Sequence, residues 1–192
     1  MGRPVSNRKQ KAPLITLIGE GMTEQYYFKH IRSIYGYKYI LKPYYFGTTS
    51  LKDMDRKIAE VVAGGGIAIC VFDTDVSERV EAEKKKLTAL FKKYNKKENV
   101  IFCDSLPAIE YWFLLHYQNT NKYYNNANSV EDELSLFLLD YRKSTVYLEK
   151  EKWVSDLCAN EQLEIAIERA RKFGKTGESY SNIFKAFDIF RK

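Results

Sequence analysis

The stretch Ile67-Ala68-Ile69-Cys70-Val71-Phe72-Asp73-Thr74-Asp75 decides the fold class of this chain. Six apolar residues follow three glycines and lead directly into two carboxylates spaced two apart. A continuous apolar run of this length is typical of a buried strand in a parallel sheet. Ligands of open α/β sheets bind just beyond the carboxyl ends of such strands. The stretch therefore predicts a buried strand that carries Asp73 and Asp75 to a candidate site.

The two aspartates predict a cation at that strand end. At positions i and i+2, where the strand ends, both side chains are expected to turn toward one point. Two acids that close disfavour each other's ionisation unless a cation neutralises them. Mg²⁺ (or Mn²⁺) is the hard cation that suits such oxygen ligands. The alternative is that Asp73 and Asp75 only cap the helix that follows.

Strand and helix patterns alternate through the first two thirds of the chain. Apolar, β-branched runs predict further strands at 14–19 and 99–103, and the stretch 37–46 is aromatic-rich and β-prone. The helices between them are expected to start at a Thr23 N-cap, at the capping box Ser50–Asp53, near Ser77, and at Ser105 and Pro107. This alternation predicts βαβ units and a mostly parallel sheet.

The alternation of strand and helix patterns ends after residue 118. An Asn-rich loop at 119–128 is followed by helical periodicity alone, beginning at a capping box formed by Ser129 and Asp132. We therefore predict a basic flexible arm at 1–12, an α/β core at 13–118 and a helical extension at 119–192 that packs on the core as one compact unit.

Composition narrows the class of protein. The chain has 192 residues, of which 45% are hydrophobic and 29% charged, which suits one globular domain. No segment approaches the roughly 18–20 uninterrupted apolar residues of a membrane helix. The polar, basic start of the chain lacks the apolar region of a secretory signal. These features predict a cytoplasmic protein with no membrane partner; they say nothing about oligomeric state.

The net charge of +6 is concentrated in two places. One is the first thirteen residues, and the other is a predicted helix with a lysine-rich surface. Such clusters are typical of proteins that bind a phosphate-rich partner, which predicts contacts to nucleic acid. A solvated helix face and a disordered tail are an equally plain explanation. The candidate phosphate contacts are Lys84, Lys85, Lys86, Lys92 and Lys93.

Further acids lie near the predicted strand ends. Glu20 follows the first strand, and Glu110 lies in the first turns of the helix after the fourth. Because parallel strands end at one edge of a sheet, these acids are expected to meet Asp73 and Asp75. The neighbours of Glu110 are almost wholly apolar, so its carboxylate needs a partner. Glu24 is compatible with a simple first-turn acid that complements the helix dipole.

Three blocks of the sequence resemble the signature blocks of the RloB-like family. They are Ile18-Gly19-Glu20-Gly21-Met22-Thr23-Glu24-Gln25-Tyr26-Tyr27-Phe28, Val71-Phe72-Asp73-Thr74-Asp75 and the stretch from Ser105 to Tyr117. A glutamate well ahead of an Asp-x-Asp pair also resembles the Toprim arrangement of topoisomerases, primases and OLD-type nucleases. The chain departs from the family pattern at Thr74, Leu106 and Ile109, where Arg, Asn and Phe are usual.

The resemblance implies a Toprim-like α/β fold with a C-terminal helical extension. It implies Mg²⁺-dependent (or Mn²⁺-dependent) phosphodiester cleavage of DNA or RNA in bacterial anti-phage defence of the abortive-infection type, with a separately encoded ATPase. Asp73 and Asp75 would then hold the metal. Glu20 would be a further ligand or general acid/base, Glu110 would complete the catalytic cluster, and Glu24 would act on it indirectly.

Two other functions compete with the nuclease. A non-catalytic module that binds a partner ATPase or nucleic acid would also use an acidic edge, and the 15 tyrosines suit an interface. The run Val71–Val76 also fits locally the haloacid-dehalogenase phosphatases, in which the first Asp is the nucleophile. That motif normally follows the first strand and is joined by a later acidic strand end, neither of which the sequence predicts.

Overall fold

A computed structural model describes residues 12–42, 50–173 and 178–192. The basic arm predicted at 1–12 lies outside the described residues except for Ala12, as does the second half of the stretch 37–46. Within the described ranges, no helix is both long and apolar enough to cross a membrane.

Five strands form one sheet in the order β2-β1-β3-β4-β5. The first four strands are parallel and β5 is antiparallel to β4. This confirms the predicted α/β class with a mostly parallel sheet. The strands are β1 (Ile15–Gly19), β2 (Ile40–Lys42), β3 (Ile67–Asp73), β4 (Val100–Leu106) and β5 (Tyr180–Ser181).

Helices cover both faces of this sheet and continue beyond residue 118, as predicted. The first five are α1 (Met22–Tyr35), α2 (Leu51–Ala63), α3 (Asp75–Arg79), α4 (Glu81–Tyr94) and α5 (Ile109–Tyr117). The later ones are α6 (Ala127–Leu134), α7 (Thr145–Leu148), α8 (Lys152–Leu157), α9 (Gln162–Phe173) and α10 (Phe184–Phe190).

The central strand β3 contributes side chains to two hydrophobic cores, because its side chains alternate between the two faces of the sheet. Ala68, Cys70 and Phe72 pack with residues of α2 and α4. Ile69 and Val71 pack with α1, α5 and the C-terminal helices in the larger core. Both sets are almost completely buried. An apolar run without polar alternation is therefore what this position in the sheet requires.

Two glycines are fixed by geometry. Gly36 ends α1 with a left-handed φ of 67°, which a residue without Cβ adopts without strain. A Cβ added to Gly66 would lie 2.8 Å from the carbonyl oxygen of Leu14, so the turn into β3 leaves no room for a side chain.

Several predicted helix starts are wrong. Gly21, not Thr23, is the N-cap of α1, because its extended backbone lets Glu24 accept the Gly21 N–H. Ser105 does not start α5, because strand pairing with β3 and β5 keeps the chain extended through β4. Asn126, not Ser129, caps α6: its Oδ1 accepts the Ser129 N–H. The Ser50 cap of α2 is confirmed, since Ser50 Oγ accepts the Asp53 N–H.

The helix predicted from Ser77 to Tyr94 is two helices. Val80 takes an extended backbone with φ −117° and ψ 107°, which ends α3 and serves as the N-cap of α4. The break separates Asp75 and Arg79 on α3 from the lysine-rich α4.

Candidate acidic site

Adjacent parallel strands bring Glu20 and Asp73 together. In the β1–β3 ladder Gly19 pairs with Val71, so the residues that follow both strands lie side by side. The Glu20 N–H donates to the Val71 carbonyl at 3.0 Å, and the Asp73 N–H donates to Glu20 Oε2 at 2.9 Å. The predicted meeting of these two acids at one sheet edge is confirmed.

The Asp73 carboxylate faces the start of α5. Its Oδ1 accepts the Ile109 N–H at 2.9 Å, one of the amides that a helix start leaves without a partner. Asp73 therefore does cap a helix, but one that starts 36 residues later in the sequence rather than the next one. This contact places Asp73 beside the first turn of α5, which carries Glu110.

Four carboxylates form what we call the acidic cluster: Glu20, Glu24, Asp73 and Glu110. Burial, followed by the charges of Glu24, Glu110 and Glu20, raises the pKa of Asp73 well above its usual range. Burial and the charges of Glu110 and Glu20 raise the pKa of Glu24 to about 7. Burial also raises the pKa of Glu20 and of Glu110. Glu24 is therefore more than the helix-dipole acid that its position suggests.

Asp75 is held differently from Asp73. Its Oδ1 accepts the Val76 N–H at 2.7 Å, and its other oxygen forms an ion pair with Arg79. The two aspartates do not turn toward one point, because the chain enters α3 at Asp75 and the i, i+2 alternation of the strand ends there. Asp75 still lies close enough to contribute to the raised pKa of Glu20. Its role as a metal ligand stays a prediction.

Glu110 is bound by two side chains from beyond residue 118. Its Oε1 accepts from the Tyr141 hydroxyl at 2.7 Å and lies 3.1 Å from Lys143 Nζ. Lys143 also forms an ion pair with Glu131 at 2.8 Å. Burial lowers the pKa of Lys143, but the two carboxylates outweigh burial and raise that pKa above its usual value. Neither partner could be predicted from the sequence, because neither lies at a strand end or in a motif.

The second oxygen of Glu110 has no partner. Oε2 is fully buried and makes no hydrogen bond within the described part of the chain. Helix α5 is fixed against α1 and α9, since Trp112 Nε1 donates to the Tyr27 hydroxyl at 2.8 Å and Arg169 donates to the Leu115 carbonyl at 2.8 Å. The free oxygen is thus held in place by a rigid support rather than by a flexible loop.

The three departures from the family pattern lie at the ends of β3 and β4 and at the start of α5. Thr74 is buried, and its hydroxyl donates to the Ser105 carbonyl at 3.0 Å. Leu106 is the last residue of β4, and Ile109 offers the N–H that Asp73 accepts. None of the departures replaces one of the four carboxylates, although Thr74 leaves the charge of the usual Arg absent beside them.

A cleft of about 340 Å³ opens beside Glu20 and Asp73. Its lining also includes Lys52, Lys86 and Glu83, the partner of Lys86. A second groove of about 300 Å³ shares Lys52 and Lys86 and continues to Lys93. Carboxylates at one end of this surface suit a cation, and the lysines along the groove suit phosphate groups.

The predicted lysines of α4 are exposed, and several have acidic partners. Lys86 pairs with Glu83 at 2.6 Å, Lys93 with Asp55 at 2.7 Å, and Lys85 lies 3.9 Å from Glu81. In the ranges that the structure covers, Lys84 and Lys92 have no ion pair. Contact of these lysines with nucleic acid stays a prediction.

The residues fit a sparse metal site better than a cage. Among the described residues, no three His, Cys, Asp or Glu side chains are grouped so that they hold one metal ion. Mg²⁺ in proteins is usually bound by one or two carboxylates, with waters and substrate phosphates completing its shell. Asp73 and Glu20, with the unpartnered Glu110 Oε2 nearby, fit that arrangement.

The histidines lie outside this site. His116 is fully buried, its Nδ1 is 3.0 Å from the Trp112 carbonyl oxygen, and burial lowers its pKa to about 3. His30 Nε2 is 2.8 Å from the Leu148 carbonyl oxygen. Both are neutral structural residues at physiological pH.

Comparison with known proteins gives one match. Neither a curated protein nor a solved structure is significantly similar to this chain. The model of a family described as RloB-like protein matches residues 15–186, which include the whole acidic cluster, Tyr141 and Lys143. The chain therefore belongs to the RloB-like family.

Proposed function

We propose that this protein is a nuclease that uses Mg²⁺ (or Mn²⁺) to cleave phosphodiester bonds in DNA or RNA. The observation that carries the proposal is the acidic cluster: four carboxylates, of which Glu24 and Glu110 are buried and the other two half-buried, beside a cleft that also presents lysines. A role in bacterial anti-phage defence with a separately encoded ATPase, and the Toprim-like identity of the fold, rest on the family resemblance.

Asp73 and Glu20 would hold the cation. Burial and neighbouring carboxylates raise the pKa of both groups, and a divalent cation supplies the positive charge that lets the acids ionise. When bound, such a cation polarises the phosphoryl oxygen and stabilises the leaving oxygen. Glu24, with a pKa of about 7, is suited to exchange a proton near neutral pH.

Lys52 and Lys86 would bind the phosphate backbone on either side of the scissile bond. They line the cleft that contains Glu20 and Asp73, whereas Lys84, Lys85, Lys92 and Lys93 do not line it. Ammonium groups bind phosphates as point charges and read no base sequence. We therefore expect these lysines to hold the strand and the acids to act on it.

A non-catalytic binding module remains the second candidate. Leu136, Leu139 and Val146 are 71%, 77% and 72% exposed within one short stretch, which suits contact with a protein partner. Such a module would need no cation at Asp73.

The test is cleavage of labelled single- and double-stranded DNA and RNA with Mg²⁺, Mn²⁺ or EDTA. Asp73→Asn keeps an oxygen for the Ile109 N–H and removes only the charge. Its matched control is Asp156→Asn on α8, where the exposed aspartate pairs with Lys152 at 2.7 Å. We expect Asp73→Asn to lose more than about 100-fold in activity, beyond the loss typical of an indirect partner of a metal. Asp156→Asn should retain most of its activity, and Asp75→Asn tests the predicted ligand role of Asp75. Equal cleavage by wild type and Asp73→Asn would contradict the catalytic assignment.

A further inference from the structure

Tyr141 and Lys143 both bind one oxygen of Glu110, and we call this pair the Glu110 clamp. The hydroxyl and the ammonium approach Oε1 at 2.7 Å and 3.1 Å. Glu110 is 0% exposed, and its Oε2 has no hydrogen-bond partner in the described part of the chain. A fully buried carboxylate with one oxygen held twice and the other left free has a defined orientation.

The clamp is itself well supported. Tyr141 is buried, and its ring packs edge-on against Phe113, Tyr147 and Trp153. Lys143 is anchored a second time by Glu131 of α6 at 2.8 Å. Because Tyr141 and Lys143 are already fixed by other contacts, they lose little conformational freedom when they bind Glu110. Hydrogen-bonded partners of metal ligands orient metal sites in this way.

Resting on the proposed function, we propose that Tyr141 and Lys143 are positioning residues of the cation site. They hold Glu110 so that its free Oε2 points into the acidic cluster and accepts a hydrogen bond from water bound to the cation. Neither residue touches the cation or the substrate. The C-terminal part of the chain thereby contributes to a site whose acids all lie within the first 110 residues.

If Lys143 acted only through its charge, its removal would change the affinity for Mn²⁺ in the opposite direction. An ammonium beside carboxylates repels a metal cation. Lys143→Met would therefore bind Mn²⁺ more tightly if Lys143 were merely a competing charge. If Lys143 positions Glu110, the same substitution weakens Mn²⁺ binding. Tyr141→Phe separates the two effects further, because it removes one hydrogen bond to Oε1 and changes no charge.

The experiment measures the Mn²⁺ dissociation constant by calorimetry and cleavage by kcat and KM, on full-length protein checked for folding by its Tm. We expect Lys143→Met to weaken Mn²⁺ binding and lower kcat by about tenfold each, as loss of an orienting partner does. Tyr141→Phe should do the same to a smaller extent, and Lys143→Arg should recover most of both values. KM should change little in all three.

The outcomes separate this inference from the proposed function. Tighter Mn²⁺ binding by Lys143→Met, or wild-type binding and kcat in both Lys143→Met and Tyr141→Phe, overturns the clamp while Asp73→Asn still abolishes activity. Should Lys143→Met fail to fold, Tyr141→Phe alone tests the clamp. A Tyr141→Phe protein with the Mn²⁺ dissociation constant and kcat of wild type would overturn the inference. Wild-type protein that neither binds Mn²⁺ nor cleaves overturns the proposed function and the clamp's role with it.

Discussion

The acidic cluster and the lysine-rich surface of α4 are both strongly charged, but their charges are compensated in different ways. On α4, Lys86 and Lys93 lie in water and have acidic partners within 2.8 Å. In the cluster, Glu24 and Glu110 are buried, and Lys143 binds only Glu110 among the cluster's acids. Exposed pairs of the first kind contribute little to stability, whereas buried like charges oppose it.

The difference indicates where function lies. A paired charge in water is already satisfied by its neighbours and the solvent, so the pair alone does not indicate a ligand. A buried group of acids with raised pKa values is incomplete until protons or a cation neutralise it, and such groups concentrate at functional sites. The conspicuous lysines of the sequence are thus less informative than four acids spread over 90 residues.

The largest expected effect is stabilisation by a divalent cation. Saturating Mg²⁺ at pH 8, at about 100 times its dissociation constant, should add roughly 2.7 kcal/mol to the free energy of unfolding. For a domain of this size that raises the Tm by about 5–10 °C in a thermal melt. At pH 5 the rise should be much smaller, because protons then occupy Glu24, whose pKa is about 7, and the raised pKa of Asp73 favours its neutral form as the pH falls.

Asp73→Asn is the control for that stabilisation and should remove it at pH 8. A Tm that responds equally to Mg²⁺ at both pH values, or equally in wild type and Asp73→Asn, would place cation binding somewhere other than the cluster.

A smaller effect is expected from Glu24→Gln without metal. The folded pKa of Glu24 is about 7 against an ordinary value of 4.5, so the native state holds its proton longer than the unfolded state. Glu24 therefore contributes stability below pH 4.5 that is lost as the pH rises to about 7. At pH 8, Glu24→Gln should raise the free energy of unfolding by on the order of 1–2 kcal/mol. At pH 4.5 the difference should disappear.

Urea denaturation at both pH values measures this change. The matched control is Glu83→Gln on α4, where the carboxylate pairs with Lys86 in water, and its effect should stay within about 0.5 kcal/mol. A Glu24→Gln protein that is less stable than wild type at pH 8 would mean that the cluster is already neutralised.

The smallest effect concerns the lysines. In the Asp73→Asn background, Lys52→Ala should weaken binding of a single-stranded oligonucleotide several-fold and lower the slope of log K against log salt by about 1. Lys84→Ala is the control on the outer surface of α4 and should change both quantities less. Fluorescence anisotropy at several salt concentrations measures them, and identical slopes for the two variants would exclude the cleft as the path of the strand.

Much of the sheet could be predicted from local patterns. An unbroken apolar run such as 67–72 has one plausible environment, and Ser50 with Asp53 caps a helix through contacts three residues apart. The strand β5 could not be predicted, because two residues show no periodicity and their extended state depends on pairing with β4. The start of α5 was missed for the same reason, since its cap is Asp73 from another strand.

The candidate site could be predicted only in part. Parallel strands end at one edge, which was enough to place Glu20 beside Asp73. The side-chain directions were not available, so Asp75 was expected to join Asp73 although Val76 and Arg79 hold it. Tyr141 and Lys143 reach Glu110 through the tertiary packing of the region after residue 118, for which no motif or spacing in the sequence gave a signal.

Along the chain, the acids of the site come before the side chains that hold Glu110. The four acids leave the ribosome first, and the hydroxyl and ammonium that hold Glu110 follow some thirty residues later. A nascent chain that ends before Tyr141 has the acids but not the side chains that orient them. Under the proposed clamp, the site is complete only once residues 141–143 have been made and have packed against Glu110.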